Sequence, residues 1–217
     1  MPASDMLAMV LLDRIRRLNR AERVVLMRAA FIGRRFRLAL LAAVLPLDEG
    51  RVRAALDAAC ELQLLVPENA PGNWYSFRHA LTRDIAYEEF IATRVRPIHR
   101  RIGRALEAEL EEGRVSLEDL AYHAWAAADS ARCVRYNELA GDRAAAAFAA
   151  HDAARFYGRA RAFVALNSHD YRRLSEKLET LQSEGAQAPG AGPDGRQSSL
   201  QRDPATRSLP PVRWTPG

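Results

Sequence analysis

The sequence has almost no lysine and only two cysteines. Arginine supplies all but one of the 32 basic residues, the exception being Lys177, and the cysteines are the well-separated Cys60 and Cys133. A zinc site or a disulfide framework needs closely spaced or paired cysteines, so neither is predicted. A phosphate-binding loop of the form GxxxxGK(S/T) needs a lysine behind a glycine-rich loop, and Lys177 has no such loop before it. These absences exclude a P-loop ATPase within the chain and fit a reducing, cytoplasmic compartment.

Other catalytic signatures are missing as well. The chain contains neither HExxH nor GxSxG, and its five histidines lack the spacing of metal ligands. We therefore predict no enzyme activity, no catalytic residue, and no metal or other cofactor in this chain. No apolar run approaches the roughly 20 residues that cross a bilayer. The stretch 6–12 is followed by Asp13 and Arg14, the reverse of the charge order of a signal peptide, so no membrane partner is expected.

The net charge of +5 is unevenly distributed along the sequence. Residues 1–104 carry 18 arginines against 11 acidic residues, whereas residues 105–217 carry 14 basic against 16 acidic residues. The basic half has the charge to meet nucleic acid or another acidic partner. The alternative is an arginine-rich helical surface that faces solvent, and we favour it because charge runs are usually solvated.

Composition and the spacing of apolar residues predict a mainly helical fold. Alanine is abundant, while aromatic and β-branched runs are few, which favours helix over sheet. Asn19 and Glu22 have the spacing of a capping box and start a helix over 20–32. A second helix is predicted over 36–45 and a third over 51–62.

Two short β-favouring runs follow these three helices. Residues 64–66 are too few for a helix, and residues 74–77 read WYSF. The segment 68–73 between them contains Pro, Gly and Asn, which are typical of a turn. Two strands around a turn, preceded by three helices, describe a winged-helix fold in which 68–73 is the wing.

Helical patterns resume after the second strand. One helix is predicted over 79–91, with Leu81, Ile85 and Phe90 facing inward. Pro97 is tolerated in the first turn of the next helix, which continues to Leu110.

The second half of the chain has the pattern of helical repeats. Helices are expected to start near Ser116, Asp129, His151 and Asp170. Small residues alternate along them with aromatic or large ones, and that alternation over helix pairs is the signature of stacked repeats. We therefore predict an array of antiparallel helical-repeat pairs.

The predicted organisation has three parts. Residues 1–112 form a winged-helix regulatory domain with its following helices, and residues 113–184 form the helical-repeat region. Residues 185–217 are rich in Gly, Pro, Ser, Gln and Arg, so they cannot offset their ordering entropy and are predicted to be disordered. The last helix is expected to end near Ser183, and the abrupt change behind it suggests a truncated or frame-shifted gene product.

Three histidines have neighbours that suggest a role. His79 lies between a short strand and a helix start, where unpaired N–H groups and the helix dipole favour an anion, and Arg78 and Arg83 add charge. It either donates to a phosphate, or merely caps its helix or packs under the wing. His99 lies in a basic stretch and is predicted on a solvated helix face, with a phosphate contact as the alternative. His123 is predicted to pack at a helix–helix contact.

Several segments occur in the order of a known family. Residues 22–36 have the pattern of a winged-helix start, residues 77–87 read FRHALTRDIAY, and LAYH at 120–123 with AGDRA at 140–144 opens a helical region. Over roughly residues 15–166 the chain thereby resembles the STAND signalling ATPases. The resemblance implies that the helical repeats of residues 113–184 are tetratricopeptide-like. These multidomain AAA-related NTPases include large ATP-binding LuxR-type transcription regulators and cyclase-linked ATPases.

This resemblance implies a role in nucleotide-state sensing. In that family the winged helix folds back on the nucleotide-binding domain, and a histidine at the start of its last helix contacts the nucleotide β-phosphate. By position His79 matches that histidine, with Arg78 and Arg83 beside it. Ala80 departs from the related immune NTPases of plants and animals, which carry an acid there. The P-loop, Walker B strand, lid and C-terminal helix-turn-helix of the family are absent, so ADP or ATP belongs to the intact family alone.

We therefore expect a non-catalytic regulatory fragment whose winged helix gates an NTPase domain supplied elsewhere. The helical repeats would bind a protein or small-molecule inducer. The alternative is a stand-alone winged-helix DNA-binding regulator, in which Arg51 and Arg53 contact DNA. The middle of that helix reads AALDAA, which offers few side chains to base edges and makes direct nucleic-acid binding the weaker interpretation.

Overall fold

The computed structural model describes residues 3–88, 95–110 and 115–187, and the chain in these ranges is mainly helical. Ten helices and three short strands lie within them. In chain order they are α1 (Ala3–Arg17), α2 (Arg20–Ile32), β1 (Arg35–Arg37), α3 (Leu38–Val44), α4 (Glu49–Glu61), β2 (Leu65–Pro67), β3 (Trp74–Phe77), α5 (Ala80–Glu88), α6 (Val95–Leu110), α7 (Leu117–Ala126), α8 (Ser130–Ala146), α9 (Ala150–Arg161) and α10 (His169–Gln187).

Polar residues cap several of these helices as the sequence predicts. Asn19 and Glu22 form the reciprocal capping box of α2, in which the Asn19 side chain accepts from the Glu22 N–H at 3.0 Å. Asp48 caps α4, Ser116 caps α7 and Asp129 caps α8, each by accepting a backbone N–H three residues on. These helix starts are confirmed because the capping chemistry is local.

The three strands form one antiparallel sheet in the order β1-β3-β2. Strand β1 corrects the prediction of a helix over 36–45, because α3 begins only at Leu38. Phe36 pairs with Tyr75 across the sheet and its ring lies 6.1 Å from the Tyr75 ring and 6.0 Å from the Phe77 ring. Pairing with residues about 40 positions away thus decides the conformation of Phe36 over local helix preference.

Helices α1, α5 and α10 differ from the predicted pattern. Residues 3–17 form α1, although no helix is predicted for them from the sequence. On α5 the buried residues are Thr82, Arg83 and Ala86, whereas Leu81 and Ile85 are half-buried against the core. The predicted inward residue Phe90 lies outside the described residues. Helix α10 continues to Gln187, a few residues beyond the predicted end near Ser183, and residues 188–217 lie outside the described ranges.

One hydrophobic core joins the helices of the first and second halves. It extends from Leu11 on α1 to Phe156 on α9, and a smaller cluster around Tyr157 and Leu174 seats α10. Cys60 is half-buried and Cys133 buried, and both are free thiols, as predicted. No helix in the described part of the chain is long and apolar enough to span a bilayer.

Candidate sensing site and a buried histidine pair

The predicted sensing residues begin at the junction between β3 and α5. The Arg78 N–H donates to the Leu64 carbonyl at 3.1 Å, and the Thr82 N–H donates to the His79 carbonyl at 3.0 Å, which fixes the turn into the helix. The side chains of Arg78 and His79 are both exposed. The structure therefore brings these two residues together at the surface, beside the first N–H groups of α5.

The third predicted residue, Arg83, occupies a different environment. It is 7% exposed, and its Nε donates to the Ala30 carbonyl of α2 at 3.1 Å. Its guanidinium lies 6.0 Å from the Tyr87 ring and 3.8 Å from the Asp84 carboxylate. Cations are favourable at a helix C-terminus, so Arg83 stabilises the C-terminal end of α2 from inside the fold.

The two arginines predicted for DNA contact lie at the start of α4. Arg51 pairs with Asp48 at 3.2 Å and Arg53 with Glu49 at 3.1 Å, and both guanidinium groups are exposed. Such exposed pairs contribute little to stability. They leave both side chains at the surface.

A buried histidine pair lies where α6 and α7 meet α2. His99 and His123 are 0% and 1% exposed, and their Nδ1 atoms are 2.9 Å apart. The prediction that His99 faces solvent is wrong, whereas the predicted helix–helix packing of His123 is confirmed. His99 shares a helix face with the buried Ile102 and Leu106, which is the signal that its basic neighbours obscure.

Aromatic rings surround the pair. The Phe31 ring meets the His99 ring edge-on at 5.4 Å, and the Tyr122 ring meets it edge-on at 5.6 Å. Phe31 in turn packs on Tyr87 of α5 at 4.5 Å. The pair therefore sits in an aromatic shell built by the three helices α2, α5 and α7.

This environment keeps both imidazoles neutral. Burial lowers the pKa of His123 to about 4; Arg83 acts in the same direction, while a hydrogen bond to the Ile32 backbone opposes the shift. Burial, then the neighbouring His123 and then Arg83 hold the pKa of His99 well below its ordinary value. At neutral pH the pair is a neutral hydrogen-bonded unit.

A shallow cleft, partly open to solvent, lies beside the pair between α6, α7 and α8. On this side the Glu107 carboxylate accepts from Arg132 at 3.0 Å and from the Tyr136 hydroxyl. Burial acts to raise the pKa of Glu107, but these hydrogen bonds lower it overall. No cluster of three or more His, Cys, Asp or Glu side chains able to hold a metal occurs within the described ranges.

Comparison of the chain with family models, with curated proteins and with solved structures finds no match. The function therefore has to be inferred from the chain's own residues and geometry.

Proposed function

We propose that the chain is a non-catalytic regulatory and interaction module of the STAND type, whose winged helix gates a separate NTPase domain. From α2 to β3 the elements follow the order helix, strand, helix, helix, strand, strand, and the sheet order is β1-β3-β2. A winged helix has this order. The turn 68–73 between β2 and β3 takes the place of the wing.

The spacing of the later helices supports tetratricopeptide-like repeats. Alternate helices start 35 residues apart (Val95 and Ser130), 33 residues apart (Leu117 and Ala150) and 39 residues apart (Ser130 and His169). These intervals bracket the 34-residue period of such repeats.

Close packing within one helix pair supports the same interpretation. A Cβ on Gly141 of α8 would lie 2.4 Å from the Tyr157 ring of α9, so glycine is required for that contact. Ala153 and Tyr157 reproduce the A-x₃-aromatic spacing of the repeat. The repeats would present a protein or small-molecule inducer with a surface that includes Phe148, which is 96% exposed at the turn between α8 and α9.

The observation that carries the gating proposal is the exposed pair Arg78 and His79 at the N-terminus of α5. Both residues lie beside the first backbone N–H groups of α5, and N–H groups, a guanidinium and an imidazole are together the donors that a phosphate requires. A nucleotide held by a partner NTPase domain would gain these contacts in one domain arrangement and lose them in another. Such a difference in affinity shifts the population between closed and open states.

The direct test uses calorimetric titration with ADP and ATP. The full chain alone is expected to bind neither nucleotide, because it supplies at most one side of the phosphate site. With a P-loop NTPase domain encoded beside it, the chain should slow ADP release, and His79→Ala should restore fast release. His151→Ala, at another exposed histidine, is the matched control. Submicromolar nucleotide binding by the chain alone would overturn the proposal.

The same preparation distinguishes the DNA-binding alternative, which the exposed Arg51 and Arg53 favour. Duplex binding that weakens steeply between 50 mM and 200 mM salt, and is lost in Arg51→Ala/Arg53→Ala, would support that alternative. Anisotropy of a labelled duplex measures it. We expect no such binding.

A further inference from the structure

The hydrogen bonds around His99 and His123 determine where their protons lie. At a distance of 2.9 Å one Nδ1 donates and the other accepts. His123 also makes a hydrogen bond to the Ile32 backbone that favours a proton on its ring, so the backbone group is the carbonyl acceptor. Among the four ring nitrogens, His99 Nε2 is buried without a hydrogen-bond partner.

One neutral arrangement satisfies these contacts. His123 carries its proton on Nε2 and donates to the Ile32 carbonyl, while its Nδ1 accepts from the Nδ1–H of His99. The bare lone pair of His99 Nε2 is then the unpartnered position. The opposite arrangement would leave a buried N–H on His99 and the Ile32 carbonyl both unsatisfied. Each buried unsatisfied group costs roughly 1–3 kcal/mol, so the first arrangement is favoured.

The Ile32 carbonyl belongs to the C-terminal end of α2, where backbone acceptors lack partners within the helix. Gly33 N–H donates to the Ala29 carbonyl, and Arg83 of α5 donates to the Ala30 carbonyl. His123 of α7 donates to the Ile32 carbonyl. Helices α5 and α7 are therefore both tied to the last turn of α2.

We propose that Ile32, His123 and His99 form a proton-operated joint that holds α6 and α7 on α2 while both rings are neutral and releases them on acidification. A proton added at the Nε2 lone pair of His99 meets no acceptor and lies near Arg83, so it is unfavourable while the joint is closed. A proton added at His123 Nδ1 removes the acceptor of the N–H···N bond. Neither step needs a co-reactant besides solvent protons.

The charged and titratable groups that face the joint also favour its release on acidification. Arg83 and Tyr87 face it from α5, and Tyr122 faces it from α7. On the side of the cleft are Arg100, Asp129 and Arg132, and the Asp129 carboxylate is paired with Arg132 at 3.1 Å. The nearby carboxylate is thus engaged, and Arg83 adds positive charge, so a proton on the rings is poorly compensated.

Nitrogen-15 NMR of the full chain at pH 7 tests the proton positions directly. We expect His99 in the Nδ1–H form and His123 in the Nε2–H form. Hydrogen exchange, corrected for intrinsic pH dependence, tests the release. Between pH 7 and pH 4.5 the protection factors of α6 and α7 should fall at least tenfold more than those of α4, which contains no histidine.

His99→Asn keeps an N–H near the Nδ1 position and removes the titrating ring. In this variant the extra loss of protection in α6 and α7 should shrink at least threefold, whereas His169→Asn, at a side chain 83% exposed, should behave as wild type. An Nε2–H proton on His99, or an unchanged profile in His99→Asn, overturns the proposal. If that variant does not fold, the NMR assignment of the wild-type chain decides. None of these outcomes depends on nucleotide sensing by His79.

Discussion

The junction of α2, α5, α6 and α7 and the outer helix α10 are held by opposite kinds of interaction. At the junction neutral imidazoles, a buried arginine and aromatic rings satisfy one another away from water. Helix α10 rests on the small apolar cluster around Tyr157 and Leu174 and is also attached by charge: Glu138 of α8 pairs with Arg173 at 2.8 Å and with Lys177 at 2.9 Å. We therefore expect the junction to be sensitive to acid and the attachment of α10 to be sensitive to salt.

The largest effect is expected from truncating the aromatic shell of the junction. Phe31 is fully buried and contacts both Tyr87 and His99, so Phe31→Ala should lower the free energy of unfolding by about 4 kcal/mol. Chemical denaturation measures this value. Phe148→Ala, at a side chain 96% exposed, is the matched control and should change stability by less than ~0.5 kcal/mol. Equal losses in the free energy of unfolding for the two variants would show that Phe31 is no better packed than the surface residue Phe148.

The second-largest effect is expected from acidification, which should weaken the junction. The pKa of His123 falls from its ordinary 6.5 to about 4 in the fold, so the unfolded chain binds more protons between these values. Stability contributed by the neutral ring is therefore complete above pH 6.5 and is lost as the pH falls towards 4. That ring alone accounts for about 3 kcal/mol. Denaturant midpoints across this range measure the loss, and a flat profile would contradict the assigned burial.

Substitution at the contact between α8 and α9 tests packing in the outer region. Gly141→Ala places a methyl group against the Tyr157 ring and should cost about 2 kcal/mol. Gly158→Ala meets open space in α9, so it should be neutral or stabilising by up to ~1 kcal/mol because alanine favours helix. Thermal unfolding of the two variants provides the comparison, and a similar shift in both would rule out close packing at Gly141.

The smallest effect concerns the charged attachment of α10. Arg173→Gln removes hydrogen bonds to Glu138 and Asp170 and should cost about 1 kcal/mol at low salt, and less at 1 M salt. These hydrogen bonds hold the pKa of Glu138 below its ordinary value despite partial burial. Arg172→Gln, at the exposed neighbouring position, is the control. A loss that does not change with salt would show that α10 is held mainly by apolar contacts.

Local chemistry was enough to predict much of this fold. Helix starts could be predicted where a capping residue accepts an N–H group only three residues further on, as at Asn19, Asp48, Ser116 and Asp129. Strand β1 could not be predicted in the same way, since Phe36 takes its conformation from Tyr75 across the sheet. The burial of His99 could not be predicted for the same reason, because its partner His123 lies 24 residues away. Its arginine neighbours suggested instead that it faces solvent.

In the candidate sensing site, too, the local arrangement could be predicted from the sequence, whereas the long-range contact could not. Arg78 and His79 lie at the exposed strand-to-helix junction that the sequence indicated. Arg83 is drawn inside because the Ala30 carbonyl, 53 residues earlier, accepts its Nε–H. Sequence spacing places Arg83 one helical turn from His79 but does not reveal which partner its guanidinium has.

The capping of α2 by distant side chains has a consequence for synthesis on the ribosome. The Ala30 carbonyl receives its donor only after residue 83 is made, and the Ile32 carbonyl only after residue 123. At roughly 5–20 residues per second, the end of α2 waits on the order of 5–20 s for its last partner. Phe31 likewise lacks its ring contacts until residues 87 and 99 have been made, so the end of α2 reaches its native packing only late in synthesis.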